Sequence, residues 1–236
     1  LLATGHYCQI EQTSRGPELR KGADAGKDQT YFLHAVNGEA LKNVIFPVGH
    51  LPKFRVRELA TRFNLVTSTK KDSTGVCFIG ERDFKLFLSQ YIQSTQGNFV
   101  DLKGKVLGRH DGACFYTLGQ RKGLGVGGPG GPWFVAKKDM TTNEVMLVEG
   151  ESHPALFCDG LVASEATWIG EAPSFPKRFT AKVRYRQEDQ PCLVIQEGGH
   201  LKVTFDQPQR SVAAGQSVVF YEGDVCRGGA VILEAS

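Results

Sequence analysis

The 236 residues of the chain are enough for one large domain or for two to three small ones, each with a buried core. With 41% hydrophobic and 22% charged residues, the composition is ordinary for a globular protein. The net charge of +3 permits an acidic partner such as nucleic acid but does not require one. No apolar run approaches the roughly 20 residues of a membrane span, and the opening LLATGHYCQIEQ lacks the features of a signal peptide, so no membrane partner is expected.

Up to about residue 96 the pattern of apolar residues is typical of an α/β fold. The opening LLATGHYCQI predicts a strand that ends in a loop. Asn37 is placed to cap a helix, and a second helix is expected to begin near Pro52. Helical spacing places the apolar residues of this second helix on one face: Val56, Leu59, Ala60 and Phe63. A third helix is predicted in ERDFKLFLSQYIQ.

From Gly97 onward, short β-like runs replace the helices. We expect a small β-rich domain over 97–157, with a hairpin that turns at Thr142 and Asn143. The rest of the chain contains six short runs of alternating apolar and polar residues, separated by turn signals at regular spacing. Such a series predicts a small antiparallel β-barrel. The sequence therefore predicts three domains, which span 1–96, 97–157 and 158–236.

Six cysteines lie at wide, irregular intervals, and no two of them form a CxxC pair. This spacing disfavours both a structural zinc site and a disulfide framework, so we expect no metal site. The default is a cytoplasmic protein with buried, inert thiols. Cys77 has a different setting, because Lys70, Lys71 and Arg82 lie near it in the sequence and cationic neighbours stabilise a thiolate. Local chemistry leaves both a buried and a reactive thiol open for Cys77.

Further segments contain candidate binding residues. In ATGHY, a Gly-His pair follows a predicted strand end and can present groups to a ligand, although a lone histidine is commonly structural. In KDQTYFL, three polar residues form either a capped helix start or a cluster that contacts a nucleotide. The glycine-rich TLGQRKGLGVGGPGGPW is either a loop that contacts phosphates or a structural turn.

The run KVRYRQ lies within the predicted barrel. Alternation along a strand would place its three basic residues on one face, with Val183 and Tyr185 on the other. Such a basic face next to an aromatic residue is either a solvated edge or a surface that holds single-stranded or bulged RNA.

Eight segments, taken together and in this order, resemble the bacterial tRNA-specific 2-thiouridylases, the enzymes that thiolate the wobble uridine. The segments are ATGHY, KDQTYFL, FPVGHL, KKDSTGVCFIGERDF, YTLGQRKGLGVGG, PWFVAKKD, VRYRQ and AGQSVVFYEGDVCRGG. The resemblance covers essentially all 236 residues. Its specificity comes from the order of the eight blocks, since no single block would identify the family.

The resemblance implies a fold and a missing part. Members of the family begin with an ATP-pyrophosphatase domain that carries an SGGxDS phosphate loop and an earlier catalytic cysteine, and neither is present here. The chain also starts without Met, inside an apolar run. It is therefore expected to be a fragment with three parts: the α/β remnant of a nucleotide-binding domain, a small β-rich central domain and a C-terminal antiparallel β-barrel. Such a fragment is expected to be inactive on its own.

The resemblance also implies a reaction. In the family, ATP, accompanied by Mg²⁺, adenylates the C2 oxygen of the wobble uridine U34, and pyrophosphate leaves. Cys77 matches the cysteine whose persulfide then attacks C2 and displaces AMP. The earlier cysteine resolves the intermediate by forming a disulfide with the cysteine that Cys77 matches. The sulfur donor in the family is a small sulfur-relay protein or a cysteine desulfurase, in the cytoplasm.

Other residues match family positions one by one. Gly5 matches a nucleotide-contacting glycine, and His6 matches a tRNA-contacting position. Further tRNA-contacting positions are matched by Lys27, Asp28 and Gln29, by Arg184 and Tyr185 in the barrel, and by Gln216. The remaining cysteines match no catalytic position: Cys8, Cys114, Cys158, Cys192 and Cys226.

Two other functions stay open beside this one. The first is an RNA methyltransferase, which should carry a glycine-rich strand–helix motif for its methyl donor, and no such motif is evident. The second is a non-catalytic RNA-binding module, in which Cys77 would be inert.

Overall fold

The structure is a computed structural model that describes residues 1–70, 84–127 and 130–236. The chain divides into two compact units. The first combines Leu1–Lys70 with Asp159–Ser236, and the second is Lys71–Cys158. In the described part of the chain, no helix is both long enough and apolar enough to span a lipid bilayer.

The first unit begins with a small α/β segment (residues 1–7 and 22–70), which is interrupted by a hairpin. The elements up to residue 70 are, in order, β1 (Leu2–Ala3), the hairpin β2 (Cys8–Thr13) and β3 (Gly16–Lys21), α1 (Thr30–Leu33), α2 (Gly38–Leu41), β4 (Val44–Ile45) and α3 (Lys53–Arg62). Strands β1 and β4 are parallel. The predicted cap is confirmed, because the Asn37 side-chain oxygen accepts a hydrogen bond from the Glu39 N–H at 2.8 Å. The capped helix is only one turn long.

Helix α3 begins after Pro52 as predicted, and its apolar face is only partly covered. No residue of α3 is fully buried, and Phe63 just after it is 66% exposed. Periodicity fixes which residues share a face, whereas burial requires a second surface to cover that face.

The second unit contains a short helix and a four-stranded sheet. Its elements are α4 (Phe84–Leu88), β5 (Gly97–Val100), β6 (Val106–His110), β7 (Trp133–Asp139) and β8 (Glu144–Glu149), with two 3₁₀ turns, Ala113–Phe115 and Pro154–Leu156. The sheet order is β6-β5-β8-β7. The predicted hairpin is confirmed, because β7 and β8 pair from Asp139 opposite Glu144, with Asn143 in the left-handed region at φ 53°.

The predicted antiparallel barrel is confirmed. Its six strands are β9 (Phe157–Trp168), β10 (Lys177–Lys182), β11 (Gln190–Glu197), β12 (His200–Arg210), β13 (Ser217–Glu222) and β14 (Val225–Ala235). They follow the order β13-β10-β11-β12-β9-β14, and an antiparallel pairing of β13 with β14 closes the ring. The hairpin β2–β3 extends the same sheet, since Cys226 of β14 lies opposite Leu19 of β3.

Alternation along the barrel strands explains their burial. On β12 the buried residues Leu201, Val203 and Phe205 alternate with exposed ones. Strand β11 supplies the facing pair, with Cys192 opposite Phe205 and Val194 opposite Val203. The two strands therefore place their apolar sides on the same face of the sheet.

One strand prediction is wrong. Strand β10 ends at Lys182, so the expected alternation does not continue through VRYRQ, and residues 183–187 form a loop. The Gln187 side-chain oxygen accepts a hydrogen bond from the Val183 N–H at 2.9 Å. A local bond of this kind between a side chain and the backbone competes with the bonds of a strand ladder, which accounts for the early end of β10.

Candidate nucleic-acid interface

Three segments of the first unit meet at the hydroxyl of Tyr31, which is buried on α1. This hydroxyl donates to the Ser217 carbonyl oxygen at 2.9 Å and lies 3.3 Å from the Val183 carbonyl oxygen. Val183 begins the loop 183–187, and Ser217 follows the loop 211–216. Helix α1 therefore fixes both barrel loops from one side, and the candidate binding residues lie on these segments.

Arg184 connects the two loops. Its guanidinium donates to the Ser211 carbonyl oxygen at 2.8 Å. Partial burial lowers the pKa of Arg184, and the neighbouring positive charge of Arg210 lowers it further. The residue itself stays exposed. The exposed positive charge of Arg184 favours the binding of an anion such as a phosphate.

Tyr185, which is partly buried, packs against an exposed aromatic ring, Phe32. Their ring centroids are 4.4 Å apart with an interplanar angle of 39°. The Arg186 guanidinium lies 6.0 Å from the centroid of the Tyr185 ring. Burial raises the pKa of the Tyr185 hydroxyl, while the charges of Arg186 and Lys27 act in the opposite direction. We call the residues Lys27, Phe32, Arg184, Tyr185 and Arg186 the Tyr185 surface.

Gln216 lies at the rim of this arrangement. It is exposed, its carbonyl oxygen accepts a hydrogen bond from the Ile232 N–H at 2.8 Å, and it directly precedes Ser217, which holds Tyr31. The structure thus places four residues matched in the sequence on segments that meet around α1: Lys27, Arg184, Tyr185 and Gln216.

Asp28 points inward. It is only 5% exposed, and its carboxylate accepts hydrogen bonds from the Gly22 N–H at 3.1 Å and from the Thr30 hydroxyl at 2.8 Å. The ammonium of Lys182, also buried, lies 3.9 Å from Asp28 and 3.6 Å from Asp189. This carboxylate therefore holds the loop before α1 in place against β10.

Gln29 is likewise engaged inside the first unit. Its side-chain oxygen accepts a hydrogen bond from the Tyr7 N–H at 2.9 Å, and its own N–H donates to the Tyr7 carbonyl oxygen at 3.1 Å. The pair forms a short ladder beside the start of β2. Lys27, the third matched residue of this segment, carries a positive charge and is partly exposed.

Gly5 and His6 follow the C-terminal end of β1, which is parallel to β4. Ligands of parallel α/β sheets bind at this end of the strands. A Cβ atom at Gly5 would meet no atom within 4 Å, so packing within the described residues does not require glycine there. His6 Nδ1 lies 2.8 Å from the Thr4 hydroxyl, and its ring contacts Phe46 edge-on at 6.1 Å.

Cys77, the matched sulfur carrier, lies outside the described residues. The described free cysteines divide into two groups. Burial raises the pKa of Cys8, Cys192 and Cys226 to about 12, which confirms that these three are buried thiols with little thiolate character. Cys114 and Cys158 are partly exposed. Among the residues that the structure describes, no group of three or more His, Cys, Asp or Glu side chains is arranged to hold a metal ion.

Sequence patterns missed the exposed ring of Phe32 beside Tyr185. Phe32 belongs to the aromatic run TYFL, and nothing in that run distinguishes it from the buried Tyr31 beside it.

Comparison with known proteins gives matches over nearly the whole chain. Three family models match it in order: the tRNA methyl transferase HUP domain over residues 1–81, the tRNA methyl transferase PRC-barrel domain over 85–149, and the aminomethyltransferase beta-barrel domain over 158–232.

Among curated proteins, the chain is 54% identical over 235 residues to the tRNA-specific 2-thiouridylase MnmA of Protochlamydia amoebophila, and 52% identical over 239 residues to that of Francisella tularensis subsp. tularensis (strain WY96-3418). These alignments cover 99% and 98% of the chain. The chain spans 62% of the length of the first relative and 67% of the second.

Proposed function

Because the chain belongs to the family of tRNA-specific 2-thiouridylases, we propose that the protein of which it forms part replaces the C2 oxygen of the tRNA wobble uridine U34 with sulfur. ATP transfers AMP to that oxygen and pyrophosphate leaves. The terminal sulfur of a Cys77 persulfide attacks C2, and AMP leaves with the oxygen. A second cysteine, outside this sequence, attacks the Cys77 sulfur. The S–S bond then breaks, sulfur stays on C2, and the two cysteines form a disulfide.

The observation that carries the tRNA part of this proposal is the convergence of the matched residues around α1. Lys27, Arg184, Tyr185 and Gln216 are far apart in the sequence, yet their segments are tied together through Tyr31 and Ser217. Exposed cations beside an aromatic ring are the combination that holds single-stranded RNA, because cations pair with phosphates and rings stack with bases.

Asp28 and Gln29 take a supporting part in this proposal. Their side chains hold the loop before α1 through bonds to Gly22, Thr30 and Tyr7. We assign them the task of presenting Lys27 and the adjoining backbone to the tRNA. His6 is assigned a tRNA contact at the edge where β1 ends.

Gly5 is assigned the nucleotide contact. The open space at its Cα and its place after a parallel strand suit the close approach of ATP, with Mg²⁺ accompanying the phosphates. A sulfur-relay protein or a cysteine desulfurase would load Cys77 in the cytoplasm. We assign the domains to 1–96, 97–157 and 158–236, and the start of the third family model at residue 158 supports the last of these boundaries.

The sulfur-carrier role of Cys77 is tested by labelling. The protein is incubated with a cysteine desulfurase and cysteine carrying radioactive sulfur, and the label is mapped after proteolysis. We expect label on the Cys77 peptide and none in the Cys77→Ser variant. Cys114→Ser is the matched control, because Cys114 is a partly exposed free thiol with no matched catalytic position. Equal labelling of the wild type and Cys77→Ser would contradict the proposal.

The tRNA contact of Arg184 is tested by salt dependence. Arg184→Ala should weaken tRNA binding and reduce the slope of log K against log salt concentration by about 1, because one phosphate contact is lost. Arg15→Ala serves as the control, since its exposed side chain sits at the turn of the β2–β3 hairpin. An unchanged slope for Arg184→Ala would rule out a phosphate contact there.

A methyl-transfer activity is the second candidate, because two of the matching family models carry the words tRNA methyl transferase in their descriptions. The relatives that are 52–54% identical are named 2-thiouridylases, which favours thiolation. Mass spectrometry distinguishes the two when tRNA is treated with the enzyme, ATP, a cysteine desulfurase with cysteine, and a methyl donor, since thiolation exchanges oxygen for sulfur whereas methylation adds a CH₂ unit. A methyl group at U34 would overturn the thiolation proposal.

A further inference from the structure

The ring of Phe32 is exposed although a packed aromatic cluster lies directly beneath it. Phe32 is 56% exposed, while its neighbour Tyr31 is only 7% exposed. Tyr31 meets the Phe32 ring edge-on at 5.7 Å, and Tyr185 covers one side of Phe32 at 4.4 Å. One part of this aromatic cluster is therefore left open to solvent.

The supporting rings are held rigidly. The Tyr31 hydroxyl is bonded to the Ser217 carbonyl oxygen, and the Tyr31 and Tyr185 centroids are 6.4 Å apart. The loop that carries Tyr185 is itself fixed by the bond from Val183 N–H to Gln187. A ligand that stacks on Phe32 would thus meet a surface that is already ordered, and little conformational entropy would be lost on binding.

Positive charge lies beside the Tyr185 ring that backs Phe32. The Arg186 guanidinium is 6.0 Å from the centroid of the Tyr185 ring, and the charge of Lys27 acts on the pKa of the Tyr185 hydroxyl. Arg184, on the same loop as Tyr185, is exposed. An apolar protein partner would gain nothing from these cations, whereas a nucleotide presents a flat base to the ring and a phosphate to the charges.

We propose that Phe32, backed by Tyr185, is a stacking platform for one unpaired base of the tRNA, and that the exposed Arg184 on the same loop as Tyr185 holds a backbone phosphate of that RNA. The proposal rests on the proposed tRNA-binding function and deepens it. It adds Phe32 to the interface, and it assigns Tyr185 a supporting position behind Phe32. Recognition at this point requires a base that is free of its own stack, which selects a loop over a duplex.

The test uses the whole chain and an anticodon stem–loop RNA that carries 2-aminopurine at one unpaired position at a time, because the fluorescence of this base analogue is quenched when it stacks. We expect quenching at one position on binding to the wild type. Phe32→Ala should abolish that quenching and weaken binding about tenfold. Phe32→Trp should restore both, because a larger ring still stacks.

Two variants make the test specific. Phe63→Ala is the matched control, since Phe63 is 66% exposed and has the Arg62 guanidinium 5.9 Å from its ring centroid, as Tyr185 has Arg186. It should leave quenching and affinity unchanged. Arg184→Ala should reduce the salt dependence of binding while leaving the quenching in place at saturating protein, because the phosphate contact and the stack are separate.

The outcomes separate this inference from the proposed function. If Phe32→Ala kept wild-type affinity and quenching, Phe32 would not be the stacking platform. Full binding by Phe32→Leu, which keeps an apolar side chain but removes the ring, would contradict the proposal in the same way. Either result leaves labelling of Cys77 and thiolation of U34 intact. Conversely, quenching that depends on Phe32, together with unlabelled Cys77, supports the platform and contradicts the sulfur-transfer proposal. A wild-type chain that fails to bind the stem–loop contradicts the platform as well.

Discussion

The barrel of the first unit and the α/β segment beside it differ in how completely they bury their apolar side chains. Over strands β9 to β14, which are fully described, the large apolar side chains that remain exposed are Phe157 and Leu233. The α/β segment, although shorter, exposes many more: Leu1, Leu2, Phe32, Ile45, Phe54, Phe63, Leu65 and Val66. The barrel supplies its own core, because closure lets each strand cover its neighbours.

The α/β segment depends instead on a few attachments to the barrel sheet. A shared core joins Tyr31 and Leu41 of the helices to Leu19 of the hairpin and Tyr221 of the barrel. Asp28 adds a buried charge contact with Lys182. These attachments, rather than internal packing, therefore keep the interface residues of the α/β segment in position. Breaking them should therefore release that segment while the barrel stays folded.

The largest effect is expected for Asp28→Ala. The change leaves the Gly22 and Thr30 donors without their carboxylate and removes one of the two acidic neighbours of the buried Lys182. Loss of one partner from such a buried charged cluster costs about 3–5 kcal/mol. We expect hydrogen exchange of residues 22–36 to accelerate strongly while β11 and β12 keep their protection.

Asp206→Ala is the matched control for Asp28→Ala. Asp206 forms an exposed ion pair with Arg178 on the barrel, so its loss should change the unfolding free energy little. If exchange in Asp28→Ala rose equally in the barrel strands and in residues 22–36, the two regions would unfold as one, and the barrel would not stay folded without the α/β segment.

Gly49→Ala should come next in size. Gly49 is buried, and a Cβ atom there would overlap the carbonyl oxygen of Cys8 at the start of β2. Because the obstacle is backbone, the loop must move, and we expect a loss of about 2–3 kcal/mol in the free energy of unfolding, measured by urea titration. Gly5→Ala, where a Cβ would meet no atom within 4 Å, should unfold like the wild type. Similar losses in both variants would refute the close approach at Gly49.

The sequence predicted the barrel well because each barrel strand has one buried face, and that face repeats every second residue. Leu201, Val203 and Phe205 illustrate this, since alternation alone identifies them as buried. It predicted α3 less well, because the periodic face of a helix carries no information about what covers it. Phe63 belongs to the predicted face and is nevertheless exposed.

For the candidate site, family resemblance supplied residues whose physical roles only the structure separates. Asp28 and Lys27 are neighbours in KDQTYFL, yet Asp28 is buried whereas Lys27 is partly exposed. The loop at Tyr185 was predicted as a strand because its residues alternate, and no local pattern revealed the bond between Val183 and Gln187 that ends β10. Contacts over long sequence separations, such as the hydrogen bond from Tyr31 to Ser217, are likewise set by topology.

The smallest expected effect concerns pH and the junction at His34, which follows α1. Burial lowers the pKa of His34, its Nδ1 atom has no hydrogen-bond partner among the described residues, and a Cβ atom at Gly229 of β14 would lie 2.6 Å from it. Since the folded pKa lies below the unfolded value, the stabilisation is complete above the unfolded pKa, about 6.5, and is lost as the pH falls toward the folded pKa. The slope cannot exceed about 1.4 kcal/mol per pH unit for one group.

His34→Gln should therefore flatten the decline of unfolding free energy between pH 7 and pH 5, whatever its effect on stability at pH 7. Urea titrations across this range measure the slope, and His200→Gln, at an exposed position on β12, should keep the wild-type slope. Hydrogen exchange at pH 5 should show loss of protection first in residues 30–36, because a charged imidazole beside Gly229 weakens the attachment of α1 to the barrel. If protection from exchange were lost first in β12, the acid-sensitive group would lie in the barrel, and the barrel rather than the α/β segment would be the less stable region.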